Sequence, residues 1–285
     1  MGALFDKGYN FMRRLPVVSV AILALLVVCG VFAPLIAPHD PEAASLAVRN
    51  TPPVWYGDGT SEFLLGTDHQ GRDILSRVIF GARISLIVST VALGIGGIVG
   101  IILGMISGYF GGWTDELIML FINVKLAIPL ILIALVIVVV VGQSFAILVG
   151  ILAVNSWSTF ARQVRGETLQ LKNEDYVALA RVAGASVLRI FVRHLFPGVL
   201  NTVMVIATLQ VGSIILTEAI LSYLGAGIPP PTPAWGSMVS DGRTYLGSAW
   251  WIAFFPGAAI FLTVFAFNFL GDWLRDKLDP RLRQL

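Results

Sequence analysis

The sequence predicts an all-α, polytopic membrane protein with six transmembrane helices. Hydrophobic residues make up 56% of the 285-residue chain and charged residues only 13%, with a mean hydropathy of +0.84. Soluble domains carry about 25% charged residues, so this composition excludes a water-soluble enzyme, and its apolar content excludes a disordered chain. The formal net charge of +2 gives no reason to expect a nucleic-acid partner.

Six apolar stretches account for the predicted spans, because a helix crosses a hydrocarbon core of about 30 Å with roughly 20 residues. They cover residues 17–36, 84–109, 115–142, 144–161, 198–223 and 250–270. A cleaved signal peptide is the alternative for the first stretch, but its length and the absence of a small-x-small cleavage site favour an uncleaved anchor. Cys29 is then expected to be a buried thiol rather than a lipid attachment site.

The lysines and arginines predict the orientation. With the N-terminus in the cytoplasm, thirteen of them lie in inside segments and five in outside segments. The positive-inside rule then places both termini in the cytoplasm. The chain divides into a tail with the first span (1–37), an extracytoplasmic loop (38–83), a five-helix core (84–272) and a cytoplasmic tail (273–285).

The loop 38–83 is predicted to end in an amphipathic helix that runs into the second span. Thr67 or Asp68 is placed to cap this helix, and Ile74, Val78 and Ala82 share one apolar face. The charged residues at its start are expected to form an exposed, salt-bridged face rather than a catalytic site. They are Asp68, Arg72, Asp73 and Arg77.

Glycine recurs every four residues in the second span. Lipid gives helices no hydrophobic reason to associate, so close backbone contact must hold them together, and glycine permits it. We expect a neighbouring helix, of this chain or of a partner subunit, to lie along the stripe, with tight packing favoured over a moving seam. The stripe consists of Gly96, Gly100, Gly104 and Gly108.

Polar groups within the spans need a partner or a polar surface. Lys125 lies inside the third span and must snorkel or find a partner, and Pro129 is expected to kink that span. Glu218 faces a polar cavity or reaches the outer interface near the end of the fifth span. The possible residues of a translocation path are Asn155, Gln210 and Glu218.

The segment between the fourth and fifth spans is basic and amphipathic. A first helix presents Tyr176, Leu179, Ala180 and Ala183 on one face, and a second presents Val187, Ile190, Phe191 and Leu195. Gly184 lies in the break between them, and Pro197 is expected to close the segment before the fifth span. Such a pair of helices either lies on anionic lipid or docks a soluble partner, and the small residues at its turn favour docking.

Motifs for catalysis and nucleotide binding are missing from the sequence. It contains no phosphate-binding loop, no H-E-x-x-H and no G-x-S-x-G. The three histidines, His39, His69 and His194, lie in three different segments and do not predict a metal site. The chain is therefore expected to be non-catalytic and to bind no cofactor itself.

Several long matches, in the right order, resemble the membrane subunits of type I ATP-binding-cassette importers. The similar group is the C-type permease of dipeptide, oligopeptide, nickel and glutathione systems. The matching runs are LLGTDHQGRDILSRVIFGARISL, GYFGGWTDELIM, TEAILSYLGAGIPPPTPAWGSMVSDGR and AIFLTVFAFNFLGDWLRDKLDPRL.

Residues 162–197 resemble the EAA loop of that family, through which the ATPase subunits act. The glycine and the proline of the motif are kept at Gly184 and Pro197, whereas Ala178 stands where the family has glutamate. The resemblance implies a coupling role for Tyr176, Val177, Ala178, Leu179, Ala180, Arg181, Gly184, Ala185, Ser186 and Pro197.

The resemblance also implies partners and a location. These are a homologous second permease, two ATPase subunits that carry ATP and Mg²⁺, an extracytoplasmic solute-binding protein, and the bacterial inner membrane. Dipeptides and oligopeptides are the expected solutes, with glutathione or nickel as alternatives. From the residues alone, a stand-alone secondary transporter or channel and a membrane enzyme stay open, although no internal repeat supports the former.

Overall fold

The computed structural model describes residues 16–278, and these residues form helices and loops without a β-strand. Residues 1–15 and 279–285 of the predicted tails, with Lys7, Arg13, Arg14, Arg281 and Arg283, lie outside that range, whereas residues 273–278 of the predicted cytoplasmic tail continue the last helix. The numbered helices are α1 (Val17–Val31), α2 (Ile74–Phe110), α3 (Gly112–Ala127), α4 (Leu130–Val141), α5 (Phe145–Leu171), α6 (Asp175–Val182), α7 (Val187–Ile190), α8 (Phe196–Tyr223), α9 (Trp235–Gly242) and α10 (Trp251–Leu278). Short turns of helix cover Ala33–Ile36, Leu46–Val48, Phe191–Leu195 and Arg243–Tyr245.

The all-helical, polytopic prediction is confirmed. Four helices among residues 16–278 are long and apolar enough to cross a membrane: α2, α5, the continuous helix 187–223, and α10. A fifth span results if α3 and α4 are taken together, and these two helices are bent by 81°. The break lies at Ile128 and Pro129, where a kink is predicted, because proline cannot continue the hydrogen-bond ladder.

Helix α1 is shorter than the predicted stretch 17–36. It has 15 residues and ends at Val31, and a separate turn begins at Ala33 with Pro34 in its first positions. Proline is tolerated there because the first N–H groups of a helix have no intrahelical partner. Cys29, expected to be buried, is half-buried.

The most extensive helix–helix contact among the described residues joins α2 to α5 along the glycine stripe. All four glycines are buried. A Cβ added at Gly104 would lie 2.7 Å from the Ala161 oxygen of α5, and one added at Gly108 would lie 2.7 Å from Thr168 Cβ. The neighbour of the stripe is therefore a helix of this same chain, held at backbone contact distance.

The start of α2 differs from the sequence prediction. Asp73 caps the helix, and its Oδ2 accepts hydrogen bonds from Ser76 N at 2.9 Å and from Ser76 Oγ at 2.6 Å. Thr67 and Asp68, the predicted caps, lie in the preceding loop. The predicted apolar face is confirmed, since Ile74 and Ala82 are buried and Val78 packs beside them.

The predicted exposure of the charged residues before α2 is wrong. Asp68, Arg72, Asp73 and Arg77 are each at most 5% exposed. Asp68 Oδ2 lies 2.6 Å from Arg72 Nε and 3.7 Å from Arg77 Nε. The rest of the segment and α9 cover them, because Arg77 Nη1 donates to Pro41 O at 3.0 Å and Arg72 pairs with Asp241 at 3.6 Å.

Two tryptophans fix segment 38–83 to the other end of the chain. Trp235 Nε1 donates to Val78 O at 2.9 Å, and Trp251 Nε1 donates to Thr67 O at 3.1 Å. We call this end of the bundle the loop end, and the opposite end, where α6 and α7 lie, the hairpin end.

Pro197 does not close the segment before α8, which corrects the sequence prediction. Val187 to Tyr223 form one continuous helix of 37 residues. A π-turn at Phe191–Leu195 immediately precedes the proline, and Phe196 N donates to Phe191 O. A proline clashes with the carbonyl four residues earlier, and the wider π-turn makes room for it without ending the helix.

Candidate functional site

Helices α6 and α7 form a short hairpin, which we define as residues 175–195. Its turn depends on Gly184, whose φ of +77° favours glycine. Gly184 N donates to Arg181 O at 2.9 Å, and Ala185 N donates to Ala180 O at 3.0 Å, so the last carbonyls of α6 are satisfied. Ser186 Oγ then caps α7 by accepting from Arg189 N at 3.4 Å.

The hairpin rests on the bundle through a small apolar core. Val177, Ile190 and Leu195 are at most 1% exposed. They pack with Met105 of α2 and Val164 of α5. The hairpin therefore contacts directly the two helices that the glycine stripe joins.

The predicted apolar face of α6 points away from this core. Tyr176 and Leu179 are 44% and 68% exposed, and Ala183 is also exposed. Val177 takes the inward position instead, because the bundle lies beneath that side of α6. Partial desolvation and, secondly, the Glu174 carboxylate raise the pKa of the Tyr176 phenol.

The outward surface of the hairpin is unusually apolar. Leu179, Val182 and Leu188 are 68%, 87% and 74% exposed. A Cβ added at Gly184 would meet no described atom within 4 Å. Exposed apolar patches with small residues are typical of surfaces that another protein or a membrane covers.

Arg181 and Lys172 attach the hairpin to the end of α2. The Arg181 guanidinium lies 4.9 Å from the centre of the Tyr109 ring, and Arg181 Nη2 donates to Lys172 O at 3.4 Å. Lys172 Nζ donates to Gly108 O at 2.7 Å. Tyr109 in turn packs edge-on against Phe191 with ring centres 5.2 Å apart.

An ion pair that the sequence reasoning missed joins α3 to α5 at the hairpin end. Asp115 Oδ1 and Oδ2 accept from Arg165 Nε and Nη2 at 2.5 and 2.6 Å, and Ser107 Oγ also donates to Asp115. Asp115 is 50 residues from Arg165 in the chain, so no local spacing indicates the pair. The available signal is the acidic residue in the first turn of α3.

Lys125 finds its partners on α5. Its Nζ donates to Asn155 O at 2.9 Å, to Asn155 Oδ1 at 2.7 Å and to Ser158 Oγ at 3.0 Å. These three oxygens match the three N–H donors of an ammonium group. The expectation of a partner is therefore met, and Asn155, a possible path residue, is one of them.

Glu218 is buried between helices and is 1% exposed, so in this chain it does not reach the outer interface. Ser222 Oγ donates to its Oε1 at 2.6 Å, while Oε2 has no hydrogen-bond partner among the described residues. The Ser85 hydroxyl of α2 faces the same carboxyl but forms no hydrogen bond in the described structure. An unpartnered carboxylate oxygen in this position is costly unless a ligand, water or another state of the protein satisfies it.

The three possible path residues occupy separate surroundings. Asn155 contacts Lys125 across the α3–α5 interface, and Glu218 contacts Ser222 one turn along α8. Gln210 is half-buried on α8, two turns of helix before Glu218. The contacts described therefore define two polar positions, one on α5 and one on α8.

Comparison with known proteins gives long matches over nearly the whole chain. Residues 11–53 match the family described as the N-terminal TM domain of oligopeptide transport permease C. The di/tripeptide transport system permease protein DppC of Pseudomonas aeruginosa is 41% identical over 261 residues, covering 92% of this chain and 86% of that protein.

Two further relatives have similar sequence identity to this chain and similar coverage. The oligopeptide transport system permease protein OppC of Bacillus subtilis is 38% identical over 95% of this chain and 87% of its own length. The glutathione transport system permease protein GsiD of Escherichia coli is 41% identical over 96% of this chain and 91% of its own length. Residues 100–284 match the family described as binding-protein-dependent transport system inner membrane components, and the chain belongs to that family.

Proposed function

We propose that the chain is a permease subunit of an ATP-driven importer that moves dipeptides and oligopeptides across the bacterial plasma membrane. The family match and the names of relatives such as DppC and OppC support this function. A relative named as a glutathione permease, GsiD, has equal identity. Glutathione, itself a small peptide, is therefore the second candidate solute.

The proposal includes six spans with both termini in the cytoplasm. Helix α1 with its following turn supplies the first span, the broken pair α3–α4 the third, and the four long helices the others. The hairpin end is then cytoplasmic and the loop end extracytoplasmic. The basic residues of the hairpin segment, such as Arg181 and Arg189, support this orientation.

The subunit works in an assembly. A second, homologous permease encloses the path with it, a solute-binding protein delivers the solute at the loop end, and two ATPase subunits bind at the hairpin end. ATP and Mg²⁺ belong to the ATPase subunits, so this chain contributes binding, coupling and a path rather than covalent chemistry. Proteins named binding-protein-dependent transport components support this composition.

The observation that carries the proposal is the hairpin, apolar on its outward side and packed on its inward side. Leu179, Val182 and Leu188 offer an apolar surface to an ATPase subunit. On the opposite side, Val177 contacts the core that includes Met105 and Val164. Movement of a docked partner is thereby passed to α2 and α5 together.

The remaining predicted coupling residues have defined structural tasks within this arrangement. Gly184, Ala185 and Ser186 form the turn, and Arg181 attaches α6 to α2 through Tyr109. Ala178 and Ala180 have small side chains, which leave room for a partner to approach the turn. Pro197 lies just after the π-turn, where the hairpin joins α8.

Cysteine cross-linking in the assembled importer tests the docking. With Cys29 replaced by alanine, Val182→Cys places a single thiol at the most exposed apolar position of the hairpin. We expect it to cross-link to an ATPase subunit, whereas Leu46→Cys, 71% exposed in segment 38–83, does not. Cross-linking of Val182→Cys only to phospholipid would contradict the proposal.

A bulky substitution at the turn tests the coupling. Gly184→Trp adds volume at a position where no described atom lies within 4 Å of an added Cβ, and the φ of +77° strains any replacement of this glycine. Gly184→Asn is the matched control, because asparagine tolerates a positive φ. We expect Gly184→Trp to abolish ATP-dependent uptake with membrane insertion intact, and Gly184→Asn to retain it. Normal uptake by Gly184→Trp would exclude docking at the turn.

A further inference from the structure

Lys125 is a cation within the bundle that has only neutral partners. Its Nζ contacts Asn155 O, Asn155 Oδ1 and Ser158 Oγ, and it forms no ion pair with any residue among 16–278. By contrast, the buried Arg72 and the half-buried Arg165 each contact an aspartate at 2.6 Å or less. A membrane-embedded charge without a counterion is expensive and indicates a functional site.

Two helices place this ammonium group near the middle of the membrane. Lys125 lies thirteen residues after the start of α3, or about 20 Å along that helix at 1.5 Å per residue. Asn155 lies ten residues after the start of α5, or about 15 Å along it from the opposite end. The first value is about two thirds and the second about half of a core of about 30 Å, so the ammonium group lies well away from both surfaces.

The ammonium lies beside a break in the membrane-spanning backbone. α3 ends at Ala127, α4 begins at Leu130, and the two are bent by 81°. An interrupted helix at membrane depth is tolerated where it lines a cavity or is covered by protein. Val124 and Leu126, on either side of Lys125, are 53% and 50% exposed, so this chain leaves the face beside the break open.

The contact with Lys125 leaves the side-chain NH₂ group of Asn155 available as a hydrogen-bond donor. Asn155 Oδ1 accepts from Lys125, and the amide NH₂ of the same side chain donates no hydrogen bond to a described residue. The three ammonium N–H groups are already engaged, so Lys125 contributes an uncompensated positive charge and Asn155 contributes the available NH₂ donors. A carboxylate, with two acceptor oxygens and a negative charge, is the group that satisfies both.

We propose that Lys125 and Asn155 form a subsite for the terminal carboxylate of the transported peptide. This inference rests on the proposed function and specifies the residue that recognises the anionic end of the solute. Ser158 holds the ammonium in place through its hydroxyl oxygen. Peptides and glutathione both carry terminal carboxylates, so the subsite serves either class of solute.

The test compares a peptide with its amide in the complete importer. The assembly, reconstituted in vesicles with its solute-binding protein, is supplied with trialanine or with trialanine amide, and ATP-dependent uptake is measured. Lys125→Met removes the charge and keeps the length of the side chain, whereas Lys125→Arg keeps the charge. We expect Lys125→Met to reduce trialanine uptake relative to the amide about tenfold, because the solute carboxylate loses its attraction to the ammonium charge, and Lys125→Arg to preserve most of the preference.

Asn155→Asp supplies the missing counterion from within the chain. An aspartate 2.7 Å from the ammonium neutralises it, so this variant should reduce trialanine uptake as Lys125→Met does, although the lysine is present. Recovery of each variant with its ATPase subunits verifies folding.

The outcomes separate the subsite from the proposed function. ATP-dependent uptake in which both variants keep the wild-type ratio of trialanine to its amide overturns the subsite and leaves the importer intact. Equal loss of both solutes in Lys125→Met and Asn155→Asp also overturns it, because the residues then act on structure or coupling. A wild-type assembly that takes up neither solute with ATP overturns the proposed function, and the subsite with it.

Discussion

The guanidinium of Arg181 lies 4.9 Å from the centre of the Tyr109 ring, and this contact joins the hairpin to the last turn of α2. Tyr109 follows directly on Gly108, the last glycine of the stripe. A force applied to α6 therefore reaches the helix that packs most closely on α5. Since α2 and α5 meet at backbone distance, they are expected to move as one body.

Replacing Tyr109 by leucine tests this connection. The variant loses a cation–π contact of about 0.5–1 kcal/mol and the edge-on contact with Phe191. We expect the amount of peptide imported per ATP hydrolysed to fall several-fold in vesicles containing the assembled importer. Tyr109→Phe keeps the ring and should match the wild type. An unchanged ratio in the leucine variant would show that the contact carries no force.

A methyl group at Gly104 is predicted to separate α2 from α5. Its Cβ would lie 2.7 Å from the Ala161 carbonyl oxygen, a backbone atom that cannot rotate away. Gly104→Ala should destabilise the protein by about 1–3 kcal/mol, measured as a lower thermal unfolding midpoint in detergent. Gly94→Ala is the control on the same helix, because nothing lies within 4 Å of its Cβ. Equal midpoints for the two variants would contradict tight packing at the stripe.

Two aspartates that contact Arg72, Asp68 and Asp241, are predicted to respond very differently to replacement by asparagine. The Asp68 side chain is 5% exposed and contacts Arg72 and Arg77, whereas the Asp241 side chain is 41% exposed. Asp68→Asn leaves two buried guanidinium groups without their shared carboxylate, at about 3–5 kcal/mol. Asp241→Asn loses a solvent-screened contact of about 0–1 kcal/mol. Limited proteolysis of segment 38–83 should be faster only in Asp68→Asn, and similar rates would refute the buried network.

The pair of Asp115 with Arg165 is expected to act as a unit. Both side chains are partly exposed, so solvent reduces their interaction to about 1–2 kcal/mol, below the upper range for charged hydrogen bonds. In thermal unfolding of Asp115→Asn, Arg165→Gln and the double variant, the two single losses should not add. Additive losses would mean that α3 and α5 are held together at the hairpin end by other contacts.

The sequence predicts the helical class and several local features because these depend on neighbouring residues. Pro129 interrupts the third span as expected, and Gly184 forms the turn of the hairpin, since proline and glycine act directly on the backbone. Pro197 shows the limit of this reasoning. A π-turn before it lets the helix continue, and that adjustment has no sequence signature.

Features that depend on distant parts of the chain could not be predicted. The charged residues around Arg72 are predicted from the sequence to be exposed, because their spacing does not reveal that Asp241 and Pro41 cover them. The glycine stripe indicates a close neighbour without identifying α5. For the same reason, the inward residue of α6 is Val177 rather than Leu179, a choice made by the position of Met105 and its neighbours beneath the hairpin.

The uninterrupted helix from Val187 to Tyr223 joins the second half of the hairpin to the span after it, so the two can move as a single lever. Its 37 residues extend over about 55 Å at 1.5 Å per residue. A tilt of only 5° at one tip would displace the other by about 5 Å, nearly the pitch of one helical turn. A small tilt imposed at the hairpin end can thus displace the helix near Glu218 by several ångströms, and the π-turn at Phe191–Leu195 is a place where the helix can bend.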